Sequence, residues 1–245
     1  MPNAPVADQR RLLDVQALDT RLSQLAHRRS TLPELARIAE LETQLVDLHT
    51  ALVTSQTAVA DLRRELTKAE ADVQQVRDRA TRDQNRLDSG QGSAKDLQAL
   101  QHELGSLAKR QGDLEEVELE VMERLEAHEA ALTEVTAAHT ALVEQRSEVE
   151  AQRDATFAQV DAEAAQVAAE RAAAAAGLDA GLVTLYDKLR GQLGTGAAAL
   201  RGRRCEGCRL ELNPLDLDGI KAKHEDAVVR CEECGRILVR LPEGE

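Results

Sequence analysis

Ile38-Ala39-Glu40-Leu41-Glu42-Thr43-Gln44-Leu45-Val46-Asp47-Leu48-His49-Thr50-Ala51-Leu52 begins the run that decides the fold. Its apolar residues at 38, 41, 45, 48 and 52 step by three and four. The steps continue through Ser55, Val59, Leu62, Leu66, Ala69, Val73, Val76, Ala80, Asp83 and Leu87 without a slip. Such alternation lays one stripe along a helix, the a/d seam of a coiled coil. Upstream, Leu18, Leu22, Leu25 and Leu32 continue a similar stripe, with a change of phase near Pro33. Proline removes a backbone donor, so Thr31-Leu32-Pro33-Glu34 predicts a kink or break.

The run stops at Asp88-Ser89-Gly90-Gln91-Gly92-Ser93, where two glycines and two serines end the helix. Ser93 suits the N-cap of a second helix, with Asp96 three residues on. The second seam runs Leu97, Leu100, Leu104, Leu107, Gln111, Leu114, Glu118, Val121, Leu125, His128, Leu132, Val135, His139, Leu142, Arg146, Val149. It fades beyond Val160 into Ala-rich sequence that ends near Ala176. Each arm is about 80 residues, roughly 120 Å of helix. Two equal arms and a short turn predict an antiparallel hairpin, which returns the chain to its starting end.

The expected fold class is therefore mainly α: a long antiparallel helical hairpin over residues 1–176, with its turn near 89–93. A junction with a short helix occupies 177–200, and a small β-rich module occupies 201–245. In the junction, Leu182, Leu185, Tyr186 and Leu189 have helical spacing before Gly191, Gly194 and Gly196. Tyr186 is read as packing between stalk and tail, with a ligand contact as the minor reading.

Composition agrees. The chain has no Trp, one Tyr and one Phe, and a rounded core of this length normally draws buried area from many aromatics. Net charge is −13; the tail from 201 holds nine basic and ten acidic residues, which leaves −12 on the rest. An acidic stalk repels nucleic acid and anionic membrane at long range. No apolar run is long enough to span a membrane, and the N-terminus lacks the apolar stretch of a secretory signal. A cytoplasmic location is expected, where cysteines stay reduced.

All four cysteines lie in two pairs, Cys205-Glu206-Gly207-Cys208 and Cys231-Glu232-Glu233-Cys234, with 22 residues between them. A Cys-x-x-Cys turn presents two sulfurs to one ion, and two such turns complete the tetrahedral thiolate shell that zinc prefers. Gly207 and Gly235 suit tight turns or close backbone approach. Leu210-Glu211-Leu212 and Ile237-Leu238-Val239-Arg240-Leu241 predict short strands, and Asn213-Pro214 predicts a helix start. The pattern reads as a zinc ribbon holding one structural Zn²⁺ on Cys205, Cys208, Cys231 and Cys234. Two disulfides, a redox pair and an iron site are the weaker alternatives. His224 as a replacement ligand is another, set against an exposed helix position. Four thiolates leave zinc no open position for catalysis.

Arg201, Arg203, Arg204 and Arg209 surround the first pair. They either contact phosphate or an acidic partner, or offset the negative charge of a four-thiolate centre. The chain contains no GxxxxGK[ST], HExxH or GxSxG motif, its six histidines are scattered, and no enzyme is expected.

Three stretches together resemble a bacterial family. They are Ala94-Lys95-Asp96-Leu97-Gln98-Ala99-Leu100-Gln101-His102-Glu103-Leu104, Leu185-Tyr186-Asp187-Lys188-Leu189-Arg190, and Cys231-Glu232-Glu233-Cys234-Gly235-Arg236-Ile237-Leu238. They look like the coiled-coil plus C4-type zinc-ribbon family, whose members include flagellar and type III secretion regulators. The resemblance implies a hairpin with a ribbon, metal ligands at the four cysteines, and an adaptor role toward protein or nucleic acid. In relatives the ribbon is often basic; here it is charge-balanced.

The expected role is thus a non-enzymatic zinc-binding adaptor for a protein partner. Arg201, Arg203, Arg204, Arg209 and Arg236 are the expected contact surface. The alternative is an RNA- or DNA-binding regulator acting through the ribbon. A third reading is a self-associating rod, and the oligomeric state is expected to be monomer or weak homodimer.

Overall fold

The structure, a computed structural model, describes residues 3–241. Five helices and four strands follow in the order α1 (Val6–Ser30), α2 (Pro33–Asp88), α3 (Ala94–Ala175), α4 (Ala180–Leu193), β1 (Ala197–Arg201), β2 (Arg204–Cys205), α5 (Pro214–Ala222), β3 (Val229–Arg230) and β4 (Ile237–Arg240). Contacts divide the chain into two compact units. Ala36–Glu150 forms one; the segments up to Leu35 and from Ala151 form the other.

The first unit is the paired part of α2 and α3. Leu41, Val59, Leu62, Val73 and Val76 of the α2 seam are buried, with Leu107 and Val121 from α3. His128 departs from the expected seam: it is exposed, and Glu129 beside it is half-buried and binds Arg63 at 2.6 Å. Further pairs join Arg77 to Glu115 at 2.6 Å, Arg79 to Glu103 at 2.7 Å and Arg124 to Glu65 at 3.5 Å. Numbers that rise on α2 fall on α3, so the arms are antiparallel. Exposed pairs of this kind contribute about 0–1 kcal/mol each, so they mark register more than they hold it. The turn closes as expected. The Ser93 and Asp96 side chains cap each other's backbone N–H at 2.9 and 3.3 Å, and Gly90 adopts φ 64°.

The second unit joins α1, the end of α3, α4 and the sheet. The helix does break before Pro33: α1 ends at Ser30, and Pro33 opens α2 at a position where its missing N–H is not needed. The α1 and α3 segments pair through Arg21–Glu163 at 2.7 Å and Arg29–Asp161 at 2.9 Å. Leu25, Val160 and Val167 are buried between them.

The sheet runs β2-β1-β4-β3, with β1 parallel to β4 and the outer pairs antiparallel. It corrects two sequence expectations. First, the sheet begins at Ala197, inside the stretch read as a junction with a short helix. Second, Leu210-Glu211-Leu212 makes a single bridge, Glu211 to Arg204, rather than a strand. Residues 242–245 of the expected module lie outside the described residues. Along β1 the side chains alternate, as strand geometry requires. Ala197 packs with Leu12, Val15, Leu182, Tyr186 and Ile237, while Ala198 and Leu200 pack with Leu212, Leu217, Ile220 and the cysteines. One face of the sheet thus rests on α1 and α4, and the other covers the metal-binding knuckles and α5.

Candidate metal centre and the surface around it

Two matching turns present the cysteines. In the first, Arg209 N–H bonds to Cys205 O at 2.7 Å and Cys205 N–H to Leu210 O at 3.0 Å. In the second, Gly235 N–H bonds to Cys231 O at 2.8 Å and Cys231 N–H to Arg236 O at 2.9 Å. The fifth residue of each turn is left-handed: Arg209 at φ 61° and Gly235 at φ 75°. Glycine takes that conformation freely, whereas a side chain there costs energy that the surrounding turn must hold. Gly207 serves close approach instead. A Cβ there would lie 2.9 Å from both Ala198 Cβ and Arg236 Cδ.

The four sulfurs lie within 4.8 Å of one another, with Cys205–Cys234 and Cys208–Cys231 both at 3.9 Å. Four thiolates at zinc's bond length of about 2.3 Å would sit about 3.8 Å apart, so the set fits a tetrahedral zinc ion. It does not fit disulfides, whose sulfurs sit at about 2.0 Å. Burial pushes the Cys231 thiol up to about 12, aided by its hydrogen bond with the Cys234 side chain, and burial also raises Cys205. Burial would raise Cys234 as well. Donors at the Arg236 backbone and side chain, with Cys231 and Cys208, outweigh it and bring Cys234 to about 7. His224 lies on an exposed loop 3.5 Å from Asp226 and is outside the cluster.

Arg201, Arg203, Arg204 and Arg209 are all exposed and gather around the β1–β2 turn. Arg201 pairs with Arg204 across the strands, Gly202 turns the chain at φ 58°, and Arg204 Nε donates to Arg209 O at 3.1 Å. Glu211 is 4.0 Å from Arg203. Arg236 does not join them. It is half-buried and donates to Thr195 Oγ1 and to Leu193 O, where it ties the second knuckle to the end of α4.

The sequence reading missed the groups that seat the ribbon. Gln16 Oε1 accepts from Gly196 N–H at 2.7 Å and Ala197 N–H at 3.2 Å. The Tyr186 hydroxyl donates to Asp19 Oδ2 at 2.7 Å, and burial followed by that bond raises its pKa. Asp19 is 1% exposed, yet its charge is met by Arg171 at 3.3 Å and Arg190 at 3.2 Å. Tyr186 therefore packs at the junction, as its spacing implied. Gly196 lies so close that a Cβ would sit 2.6 Å from the ring. The signal for Gln16 and Asp19 was their place among Leu12, Val15, Leu18 and Leu22 on the inward side of α1.

A helical hairpin carrying a four-cysteine ribbon is the class that this fold and site define. The chain belongs to the CT398-like coiled-coil hairpin family, whose model matches residues 15–194, and it carries a C4-type zinc ribbon domain, matched at 204–238. It is 38% identical to Rv2229c of Mycobacterium tuberculosis, with 97% of each chain covered. It is 30% identical to ML1638 of Mycobacterium leprae, covering 90% of this chain and 95% of that one. A solved structure from Mycobacterium smegmatis superposes with a TM-score of 0.87 at 38% identity, covering 98% of this chain and all of that one. CT398 from Chlamydia trachomatis gives 0.70 at 18% identity over 96% and 98% of the two chains, a likeness of fold. Among the described residues, no helix is long and apolar enough to cross a membrane.

Proposed function

We propose that this protein is a non-enzymatic cytoplasmic adaptor whose coiled-coil stalk holds a zinc ribbon in place for a protein partner. The observation that carries the reading is the seating of the ribbon. Gln16 and Tyr186 fix β1 to α1 and α4, while the arginines of the β1–β2 turn stay exposed. A module held this way offers a preset surface, which lowers the ordering cost of binding. One zinc ion on Cys205, Cys208, Cys231 and Cys234 is structural in this reading, since four thiolates fill its shell. The partner surface is acidic, because it meets Arg201, Arg203, Arg204 and Arg209.

The same exposed arginines favour a second reading, an RNA- or DNA-binding regulator. Full-length zinc-loaded protein and its Arg203→Glu/Arg204→Glu variant separate the two. Each is titrated with a mixed RNA and DNA pool at two salt concentrations and used in a crosslinking pull-down. The adaptor reading expects a protein captured by wild type and lost with the variant, and no salt-sensitive nucleic-acid binding. Salt-sensitive binding that the variant weakens would put the regulator first. Equal behaviour of the two proteins in both assays would remove the arginine surface from either role.

A further inference from the structure

The arginines of the hairpin are sorted by position. In the Ala36–Glu150 unit, Arg63, Arg77, Arg79 and Arg124 each meet a carboxylate of the other arm. Arg37, Arg64 and Arg146 meet one on their own helix. Those that remain, Arg82, Arg86 and Arg110, have no ion pair among the described residues. All lie toward the turn, with unpaired Lys95 and Lys109 on the same stretch. Residues 79–110 hold six basic and four acidic residues, a charge of +2 in a chain of −13. Each of those four carboxylates is already engaged. Arg79 holds Asp83 and Glu103 at 3.7 and 2.7 Å, Gln84 donates to Asp88 at 2.8 Å, and the Ser93 N–H donates to Asp96 at 2.9 Å. Arg82 and Arg86 also stand four residues apart, a spacing at which like charges oppose helix formation. The hairpin itself draws no stability from these cations.

Arg79, Arg82 and Arg86 step by three and four, so they share one face of α2. Arg110 reaches the same side from α3. Between the arms, Arg79, Arg82 and Arg110 line a groove of about 550 Å³. Buried Val76 and Leu107 and half-buried Leu114 line it too, with Asp72 and Asp83 as its acidic members. Asp83 faces Arg79, and Asp72 is in no ion pair with any of the three arginines. Arg82 and Arg110 are therefore guanidinium forks with no carboxylate to hold, set beside an apolar lining.

We propose that this groove docks an acidic amphipathic helix of a partner protein. Its carboxylates meet Arg82 and Arg110, in the paired geometry that a guanidinium favours, and its apolar side lies along the groove's apolar lining. Charge selects an acidic occupant, and the mixed lining selects a protein over a nucleic acid. A phosphate backbone has no apolar side to set against Val76, Leu107 and Leu114, and residues 79–110 hold no aromatic ring on which a base could stack. A nucleic acid is also long and evenly charged. Past Arg110 it would meet Asp113, Glu115 and Glu116, and the remaining −15 of the chain would repel it. A second copy of the chain would bring the same acidic bulk against this one. A short helix ends where the cations end. The cations of α3, from Lys95 to Arg110, span about 23 Å, which a partner helix of about 16 residues covers. This surface is separate from the arginines of the ribbon and does not depend on what binds them.

Peptide selection on full-length, zinc-loaded protein tests this. The probe is a phage-displayed library of random helices about 18 residues long. Winners are remade as labelled synthetic peptides and titrated by fluorescence anisotropy. They are expected to carry Asp or Glu beside apolar residues at helical spacing. Arg82→Glu/Arg110→Glu should weaken their binding about tenfold or more, because attraction becomes repulsion at both contacts. Its helicity should be unchanged, since both positions are exposed. Arg203→Glu/Arg204→Glu should bind the peptides as wild type does. Peptides with Lys in place of Glu should bind Arg82→Glu/Arg110→Glu and not wild type. A selection without acidic winners, or winners that bind wild type and Arg82→Glu/Arg110→Glu equally, would overturn the proposal. So would a labelled DNA duplex that binds wild type and not that variant, which would put a nucleic acid in the groove. Wild type that sediments at twice 26.7 kDa while the variant does not would put a second copy there and overturn it too.

Discussion

Cys231 and Cys234 sit three residues apart, yet burial takes one thiol up to about 12 while local donors hold the other near 7. The difference matters because zinc binds thiolates, so each thiol that is protonated in the metal-free protein must release its proton on binding. Near neutrality Cys231 and Cys205, both raised, release theirs at every accessible pH. Cys234 releases a proton well below pH 7 and has already lost it well above. Zinc affinity should therefore rise with pH, and the protons released per zinc should fall by about one between pH 6 and pH 8. Calorimetry in two buffers of different ionisation enthalpy gives that count. Arg236 supplies part of what lowers Cys234, so Arg236→Ala should move the step to higher pH. A count that stays flat across the range would show that Arg236 and its neighbours do not hold Cys234 down.

At the scale of elements, the heptads, the Ser93 cap and the Cys-x-x-Cys turns were legible because each is a local pattern with one structural solution. Strand β1 was not. Ala197-Ala198-Ala199-Leu200 has helical rather than strand propensity. What makes it a strand is its parallel register with Ile237–Arg240 and burial on both faces. Gln16 and Asp19 escaped for a related reason: a polar residue on an amphipathic helix reads as solvated until its partners are known. Those partners come from α3, α4 and the residues leading into β1, up to 181 positions away. The elements meet at Gln16 Oε1, so Gln16→Ala should leave the N–H groups of Gly196 and Ala197 buried without an acceptor. Each loss costs about 1–3 kcal/mol. Amide exchange at Gly196 and Ala197 should accelerate and the urea midpoint should fall, while zinc content stays at the wild-type level. Exchange that stays slow at both amides would mean that the strand pairing with β4 seats β1 without the glutamine.

For the whole molecule, the decisive feature is the turn between α2 and α3, because it determines whether the arms pair within one chain or between two. Five residues, Ser89 to Ser93, separate the helices, and within them Gly90 takes φ 64° and Gly92 φ 139°. Side chains rarely adopt either conformation. The seam itself does not distinguish a partner arm of the same chain from that of another. What favours the intramolecular hairpin is that closing a five-residue loop costs little entropy, while association of two chains loses translational freedom. Replacing Ser89–Ser93 with Ala and Glu should let α2 run into α3 as one helix, since those residues propagate a helix and remove both left-handed positions. The arms could then be satisfied only by a second chain, which gives a swapped antiparallel dimer at twice 26.7 kDa. That dimer would bury the full seam, including Leu41, Leu62 and Val73, and so should persist at nanomolar concentration. Sedimentation of the turn variant down to nanomolar concentration reads the outcome. A turn variant that stays monomeric would show that the arms reverse direction without the glycines, and that seam pairing alone fixes the hairpin.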